Sequence, residues 1–258
     1  MRKRIVQLTD LHLQASSKAL YKGVNADAHF LQCLEWLSGN QCDLLLLTGD
    51  LAHGASPDSY ARLQGYLADI GIPWLWLPGN HDDAQQMLAV SDQAVDQVRQ
   101  VELADWRLLI LDTTYAPDGK GSGSVSPVHM QHLQQQLEVQ QDKPVLLVMH
   151  HNPIPVNSAW QDEIMLGNSQ EFNQLVTAYS QVKAVVFGHV HQPIDRVERG
   201  VRYLATPATS VQFLAQQDSF MVQAECGPGL RIIDLLDANG LQTQVVNLPK
   251  LSPPAEVM

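Results

Sequence analysis

Residues 44–50 read LLLLTGD, four leucines that lead directly into a turn carrying a carboxylate. A short apolar run without polar alternation is typical of a strand that is covered on both faces. Five further runs of the same kind are spread along the chain: Ile5–Leu8, Trp74–Leu77, Leu108–Leu111, Val145–Met149 and Val185–Phe187. Their pattern predicts an α/β protein whose strands lie between covering layers.

Helical patterns separate these apolar runs. Ser56 and Pro57 are typical of a helix start, and Gly71 fits the end of that helix. Ser126 and Pro127 repeat the start signal. Two further apolar stripes at helical spacing lie at residues 30–37 and 172–179.

The pattern changes after residue 201, where short strands follow one another. The predicted strands are Arg202–Leu204, Phe220–Ala224, Leu230–Leu236 and Leu241–Leu248. Asp237–Gly240 is a hairpin turn signal between the last two. We expect a single domain over residues 1–250 and a flexible C-terminal tail at residues 251–258.

Composition narrows the classes of partner. The net charge is −11, with 27 acidic against 16 basic residues, which argues against nucleic acid but not against a small anion. Cys33, Cys42 and Cys226 form no pair with ligand spacing, so reduced thiols in the cytoplasm are expected. The first apolar run is too short for a signal-peptide core, and no run of about 18 apolar residues predicts a membrane span.

Five polar blocks each follow directly after one of the apolar runs. Their side chains are those of Asp10 with His12, Asp50, Asn80 with His81 and Asp82, His150 with His151, and His189 with His191. Ligands of α/β sheets bind at the carboxyl ends of the strands, so we expect these groups to lie together. Each block alone can be explained as a turn or a polar strand end. Five such blocks, each at the carboxyl end of its own strand, are not explained in this way.

The chemistry of these side chains indicates metal ions. Imidazole and carboxylate without thiolate suit iron, manganese or zinc. Seven potential ligands exceed the needs of one tetrahedral site, which favours two ions about 3.5–4 Å apart that share a carboxylate. Gly49, Gly79 and Gly188 fit sharp turns that let the backbone approach the ions.

In this order, the blocks resemble the signature of the calcineurin-like metallophosphoesterases: Asp-x-His, Gly-Asp, Gly-Asn-His-Asp, His and Gly-His-x-His. The resemblance extends over nearly the whole chain through LLLLTGDLAH (44–53), WLWLPGNHD (74–82), LLVMHHNPIPV (146–156) and YLATPATSVQF (203–213). The last stretch is the most similar to the bacterial class III cyclic nucleotide phosphodiesterases that act on 3',5'-cyclic AMP. The resemblance implies a catalytic domain built as a four-layer α/β/β/α sandwich of two mixed sheets flanked by helices.

The resemblance also implies roles for individual residues. One ion would be bound by Asp10, His12, Asp50 and His191. The other would be bound by Asp50, Asn80, His150 and His189, so that Asp50 bridges the two ions. Catalysis would depend on His81 and Asp50, with His81 facing the phosphate and Asp82 orienting it. The implied substrate-binding residues are His12, Asp50, Asn80, His81 and His191.

The implied function is metal-dependent hydrolysis of 3',5'-cyclic AMP to 5'-AMP by a metal-bridging hydroxide, which would regulate the cyclic AMP level. Iron or manganese would be the ions, with zinc also compatible, and a homodimer is common in related enzymes. A glycerophosphodiesterase or a general phosphodiester or nucleotide hydrolase of the same fold is the alternative. A non-catalytic scaffold with this fold ranks below both, because every ligand and His81 are present.

Several further residues have two possible roles, one at the substrate pocket and one in the fold. His53, Trp160 and the Thr206–Phe213 segment are candidates for the pocket wall, although loop and packing roles explain them equally. Asn168 and Ser169 fit either a substrate contact or a helix N-cap. His151 follows a candidate ligand, and it either supports the ligands from behind or has no role at the site. Surface positions are expected for His29, His129 and His132.

Overall fold

Two mixed β-sheets form the centre of the fold in this computed structural model, which describes residues 2–139, 141–237 and 240–251. The first sheet has five strands, in the spatial order β13 (Leu241–Asn247), β12 (Gly229–Leu235), β1 (Lys3–Leu8), β2 (Leu44–Thr48) and β3 (Trp74–Leu77). Strands β1, β2 and β3 are parallel, and β12 pairs antiparallel with both of its neighbours.

The second sheet has six strands, in the spatial order β4 (Arg99–Leu103), β5 (Trp106–Ile110), β6 (Val145–Val148), β7 (Val182–Phe187), β9 (Val201–Ala205) and β8 (Ile194–Glu198). The four inner strands are parallel, and each edge strand is antiparallel to its neighbour. A separate two-residue hairpin pairs β10 (Gln212–Phe213) with β11 (Val222–Gln223).

Six helices are described, and most follow a strand. They are α1 (Ala26–Ser38), α2 (Pro57–Leu67), α3 (Ala84–Val90), α4 (Pro127–Val139), α5 (Ala159–Asp162) and α6 (Ser169–Thr177). The Asn25 side chain caps α1 by accepting from the Ala28 N–H at 2.8 Å. Helix α2 begins at Pro57 directly after Ser56, as the sequence predicts.

Three apolar clusters separate four layers. The middle cluster joins the facing sides of the two sheets and includes Ile5 and Leu46 from one and Leu146 from the other. The two outer clusters lie between the first sheet and α1 and α2, and between the second sheet and α4 and α6. Strands covered on both faces explain the unbroken apolar runs, and the predicted α/β/β/α sandwich is confirmed.

Several local expectations differ from the structure. Helix α2 ends at Leu67, and Gly71 has a φ of 65° in the turn that follows. The strand expected over Phe220–Ala224 is reduced to Val222–Gln223. The surface position expected for His29 is wrong: the residue is buried, and its Nδ1 is satisfied by donating to the Ser210 carbonyl at 2.8 Å.

Two stretches named in the sequence analysis lie outside the described residues: positions 238 and 239 of the hairpin turn, and residues 252–258 of the expected tail. Within the described ranges, the helices are all too short or too polar to cross a membrane.

Candidate metal centre

All seven candidate ligands follow strands that end at one side of the molecule. Strands β1, β2 and β3 of the first sheet and β6 and β7 of the second run into these ligands. Six of them are buried, namely Asp10, His12, Asp50, His150, His189 and His191, and Asn80 is half-buried. The structure thus brings together the side chains that the sequence singles out.

The ligand atoms form two adjoining clusters. In one, His191 Nε2 lies 3.2 Å from Asp10 Oδ1 and 3.3 Å from His12 Nε2. In the other, His150 Nε2 lies 3.2 Å from Asn80 Oδ1.

Asp50 lies between the two clusters. Its Oδ2 is 3.6 Å from His12 Nε2, and its Oδ1 is 3.5 Å from His150 Nε2. One carboxylate oxygen therefore faces each cluster, which is the arrangement expected of a shared ligand.

The hydrogen bonds of the imidazoles test whether these clusters fit cations. His150 Nδ1 donates to the Thr48 carbonyl at 2.9 Å, and His191 Nδ1 donates to the Val211 carbonyl at 2.6 Å. The Nε2 of a neutral ring then presents a lone pair inward, toward carboxylate oxygens that also carry no proton. Acceptors that converge in this way fit bound cations, and the carbonyls behind His150 and His191 fix the tautomers of these two imidazoles.

Charge and burial keep Asp50, His12 and His189 in the form that ligates metal. For His150, burial lowers the pKa, but the charges of Asp50 and Asp10 outweigh it, so the pKa is raised overall. Burial raises the pKa of Asp50, but the surrounding histidines, His150 first, outweigh it, so the pKa is lowered overall. Burial lowers the pKa of His189 to about 4, with His150 adding to the effect. Burial also lowers the pKa of His12 far below its ordinary value, against the charge of Asp50. The carboxylate is therefore ionised while these two imidazoles are neutral at pH 7.

The backbone is strained at the same place. Five candidate ligands have left-handed φ values between 50° and 67°: Asp10, His12, Asp50, His189 and His191. This conformation costs roughly 1–2 kcal/mol for each non-glycine residue. Such strain persists where the surrounding structure enforces it, and it concentrates at functional sites.

Two glycines allow the close packing behind the ligands. Gly49 has a φ of 92°, which few other residues adopt. A Cβ on Gly79 would lie 2.8 Å from His150 Cε1 and would overlap the Asp50 carboxylate. Gly49 therefore lies in a sharp turn, as expected. Gly79 is required for another reason, because a side chain at this position would clash with His150 and Asp50.

His81 lies at the mouth of the centre. Its backbone N–H donates to Asp50 Oδ1 at 2.9 Å, and its ring centroid is 5.0 Å from that of His12. The His53 ring lies 4.7 Å from that of His81 and 5.5 Å from that of His12, so the three rings form one cluster. The imidazole of His81 is thus beside the ligands and open to the cleft described below.

Asp82 has a different role from the one expected. Its carboxylate accepts from the N–H groups of Leu51 and Gly79, at 3.0 and 2.9 Å, and from the Tyr60 hydroxyl at 2.9 Å. Burial raises the pKa of Asp82 to about 6. These bonds order the two turns that carry ligands, whereas the sequence interpretation had Asp82 orienting the His81 ring.

An open cleft with about 190 Å³ of space for a ligand lies over the centre. Beyond the ligands and His81 its side-chain walls include Tyr21, Lys22, His53, Lys120, Trp160, Ile164, Phe213 and Phe220. His53, Trp160 and Phe213 were candidates from sequence. Thr206 is instead buried, and its hydroxyl donates to Gln7 Oε1 at 2.5 Å.

The remaining candidates lie behind the cleft. His151 is buried, with Nδ1 2.7 Å from Thr113 Oγ1 and its ring centroid 4.8 Å from that of His189. The Asn168 side chain bonds to the backbone N–H and carbonyl of Val125, at 3.1 and 2.9 Å, and occupies the N-cap position of α6. His151 therefore packs against a ligand imidazole, and Asn168 is a structural residue.

Comparison with known proteins agrees with this architecture. A dimetal phosphatase from Danio rerio superposes with a TM-score of 0.70, covering 95% of this chain and 98% of that chain at 11% identity. At that identity the likeness concerns the fold. The calcineurin-like phosphoesterase family profile matches residues 3–193, and this chain belongs to that family. Membership implies a dinuclear metal centre, which the His and Asp clusters fit.

Two curated relatives match nearly the full length. A 3',5'-cyclic-nucleotide phosphodiesterase of Nostoc sp. is 35% identical over 252 residues, 96% of this chain and 94% of that protein. The 3',5'-cyclic adenosine monophosphate phosphodiesterase of Escherichia coli K12 is 33% identical over 251 residues, 96% of this chain and 90% of that protein.

Proposed function

We propose that this chain hydrolyses 3',5'-cyclic AMP to 5'-AMP. The observation that carries the proposal is the 33–35% identity, over 96% of this chain, to proteins named as cyclic-nucleotide phosphodiesterases. The Asp, His and Asn side chains at the strand ends explain why the protein would hydrolyse a phosphate ester. They do not explain which ester it prefers, because such a centre cleaves many phosphate esters.

The ligands divide between two cations. Asp10, His12, Asp50 and His191 would hold one, and Asp50, Asn80, His150 and His189 would hold the other. Asp50 would serve both sites, which is supported by the 3.6 and 3.5 Å approaches of its two oxygens to the two clusters. Iron or manganese suits these oxygen and nitrogen donors, and zinc is also compatible. When bound, the cations lower the pKa of water and stabilise negative charge on the phosphate.

His81 protonates the leaving group. Hydrolysis forms a bond from a water oxygen to phosphorus and breaks the bond to the 3' oxygen, which then needs a proton. The support is the position of the His81 ring, which opens to the cleft 5.0 Å from the His12 ring while its backbone N–H bonds to Asp50. His12, Asp50, Asn80 and His191 contact the same substrate from the floor of the cleft.

Positive charge at the cleft favours an anionic substrate. Lys22 and Lys120 are the lysines among its lining residues, although the whole chain carries a net charge of −11. Three backbone N–H groups that donate to Asp118 order the loop of Lys120. Two lysines at the cleft attract a small monoanion such as a cyclic nucleotide, whereas the negative charge of the rest of the molecule repels a polyanion.

A substrate panel tests the proposal. The manganese-loaded protein is assayed for kcat/KM on cyclic AMP, cyclic GMP, a glycerophosphodiester and p-nitrophenyl phosphate, with product identification. Cyclic AMP should be cleaved to 5'-AMP and should exceed both the glycerophosphodiester and the monoester. A glycerophosphodiester or monoester that is faster by tenfold or more, about 1.4 kcal/mol in transition-state binding, would contradict the assignment and leave the metal centre intact.

A homodimer and a cytoplasmic location stay predictions. Sedimentation of the purified protein at micromolar concentration decides the first, and fractionation of cells that express the full-length protein decides the second.

A further inference from the structure

Three aromatic rings extend the cleft outward from a candidate ligand. Phe213 stacks on the His191 imidazole, with centroids 3.9 Å apart and planes 9° from parallel. Phe213, Trp160 and Phe220 then contact one another edge to face, with centroids 4.9–5.4 Å apart. The rings therefore form a continuous aromatic wall that begins at the metal centre and ends at the rim.

The outermost ring is the exposed one. Phe213 is 6% exposed, whereas Phe220 is 43% exposed on the loop between β10 and β11. Single exposed apolar residues are common and need no explanation. Phe220 differs because it lines the same cleft as the ligands and its edge is already supported by Phe213 and Trp160.

One face of the Phe220 ring is covered by the Lys22 side chain, which a ligand can displace. The Lys22 ammonium lies 4.3 Å from the ring centroid, held there by the cation–π attraction of an exposed, flexible side chain. A lysine with water around it can be displaced at a cost of about 0.5–1 kcal/mol. Lys22 then stays at the rim, beside the negative charge of the substrate.

We propose that Phe220 is the stacking platform for the purine base of the nucleotide, supported from behind by Phe213 and Trp160. The inference rests on the proposed function. A cyclic nucleotide has a charged phosphate at one end and a flat neutral base at the other. The cleft has polar candidate ligands on its floor and aromatic rings along its wall, so the phosphate fits the floor while the base fits the wall. Stacking is insensitive to base identity because every base has a π face, so adenine and guanine are accepted with similar affinity.

The test compares two inhibitors that differ only in the base, 5'-AMP and ribose 5-phosphate. Each is measured as a competitive inhibitor of bis(4-nitrophenyl) phosphate hydrolysis by the manganese-loaded protein. In the wild type, 5'-AMP should bind about tenfold or more tightly than ribose 5-phosphate. Phe220→Leu, which keeps an apolar side chain without a π face, should lose most of that ratio.

Two further variants make the result specific. Phe220→Trp should keep the ratio, because it restores a ring, and the neighbouring exposed Met221→Ala should leave it unchanged. For cyclic AMP itself, Phe220→Leu should raise KM with little change in kcat, since the base takes no part in bond breaking.

Three outcomes would overturn the inference: a wild-type ratio near one, an unchanged ratio in Phe220→Leu, or equal losses in Phe220→Leu and Met221→Ala. Failure of the proposed function is recognised separately. In that case the wild type does not cleave cyclic AMP, although the base still strengthens inhibition and Phe220→Leu abolishes that preference.

Discussion

His12 differs from the other ligand imidazoles in what lies behind its ring. His150 and His191 each donate Nδ1–H to a backbone carbonyl, whereas His12 Nδ1 is buried without a hydrogen-bond partner among the described residues. The Tyr21 ring instead stacks on His12, with centroids 4.3 Å apart and planes 14° from parallel. Tyr21 therefore covers one face of this imidazole, and we expect it to hold the plane of the ring.

Replacing Tyr21 should weaken one metal site. In Tyr21→Leu the His12 ring loses its stacking partner, and we expect the affinity of one cation to fall by about tenfold or more, as for other residues that orient ligands. Tyr21→Phe should keep the wild-type affinity because the ring remains. The measurement is metal titration of the metal-free protein. Wild-type affinity for both cations in Tyr21→Leu would show that stacking does not hold His12.

His81 should affect turnover and leave metal binding intact. We expect His81→Ala to retain its metal content while kcat falls on the order of 10²–10⁴-fold, the usual contribution of a general acid or base. His129→Ala, on α4 and outside the cleft, is the matched histidine control. Elemental analysis that finds metal missing from His81→Ala would instead make His81 a ligand.

At the scale of elements, the unbroken apolar runs of the sequence identify strands covered on both faces, whereas the edge strand β13 was found from the turn signal beside it. Residues 145–148 are all buried, and their apolar run identifies β6. Strands β4 and β8 are edges whose residues alternate between half-buried and exposed, so neither produces an apolar run. Both are absent from the prediction for that reason. Helix α3, which has a single buried residue, Met87, lacks an apolar stripe.

An ion-pair network joins the neighbouring strands β1 and β12. Arg4 is the register partner of Asp234, with Nε 2.8 Å from Oδ1, and Arg2 contacts the same carboxylate. Burial raises the pKa of Asp234, but the hydrogen bonds from Arg4 and Arg2 outweigh it, so the pKa in the folded protein is lowered. The carboxylate therefore stabilises the fold above its unfolded pKa of about 4, and this contribution is lost as the pH falls further.

Asp234→Asn should reduce the free energy of unfolding by about 1 kcal/mol at pH 7, with a smaller difference below about pH 4. Urea unfolding at pH 7 and at pH 3 measures both values. Asp218→Asn, which changes an exposed carboxylate on the loop before β11, should show neither effect. A difference that stays constant over this pH range would show that the charge of Asp234 does not stabilise the fold.

At the scale of the whole molecule, the centre arises because both sheets end their parallel strands on one side. The seven candidate ligands can be selected from the sequence because each follows a strand, and the structure brings their side chains together. Tyr21, Lys22 and Phe220 were missed because they lie in irregular loops, where no periodic pattern relates sequence to position. We also propose that residues 1–250 form one domain, because the middle apolar cluster contains residues of both sheets.

The metal content of two variants tests the central claim most directly. Asp50 faces both clusters, whereas His191 Nε2 lies within 3.3 Å of Asp10 and His12 in one. The metal-loaded wild type should hold about two equivalents per chain. His191→Ala should keep about one, and Asp50→Ala should lose most of both, together with all turnover. Two full equivalents of metal in Asp50→Ala would contradict the shared-ligand account.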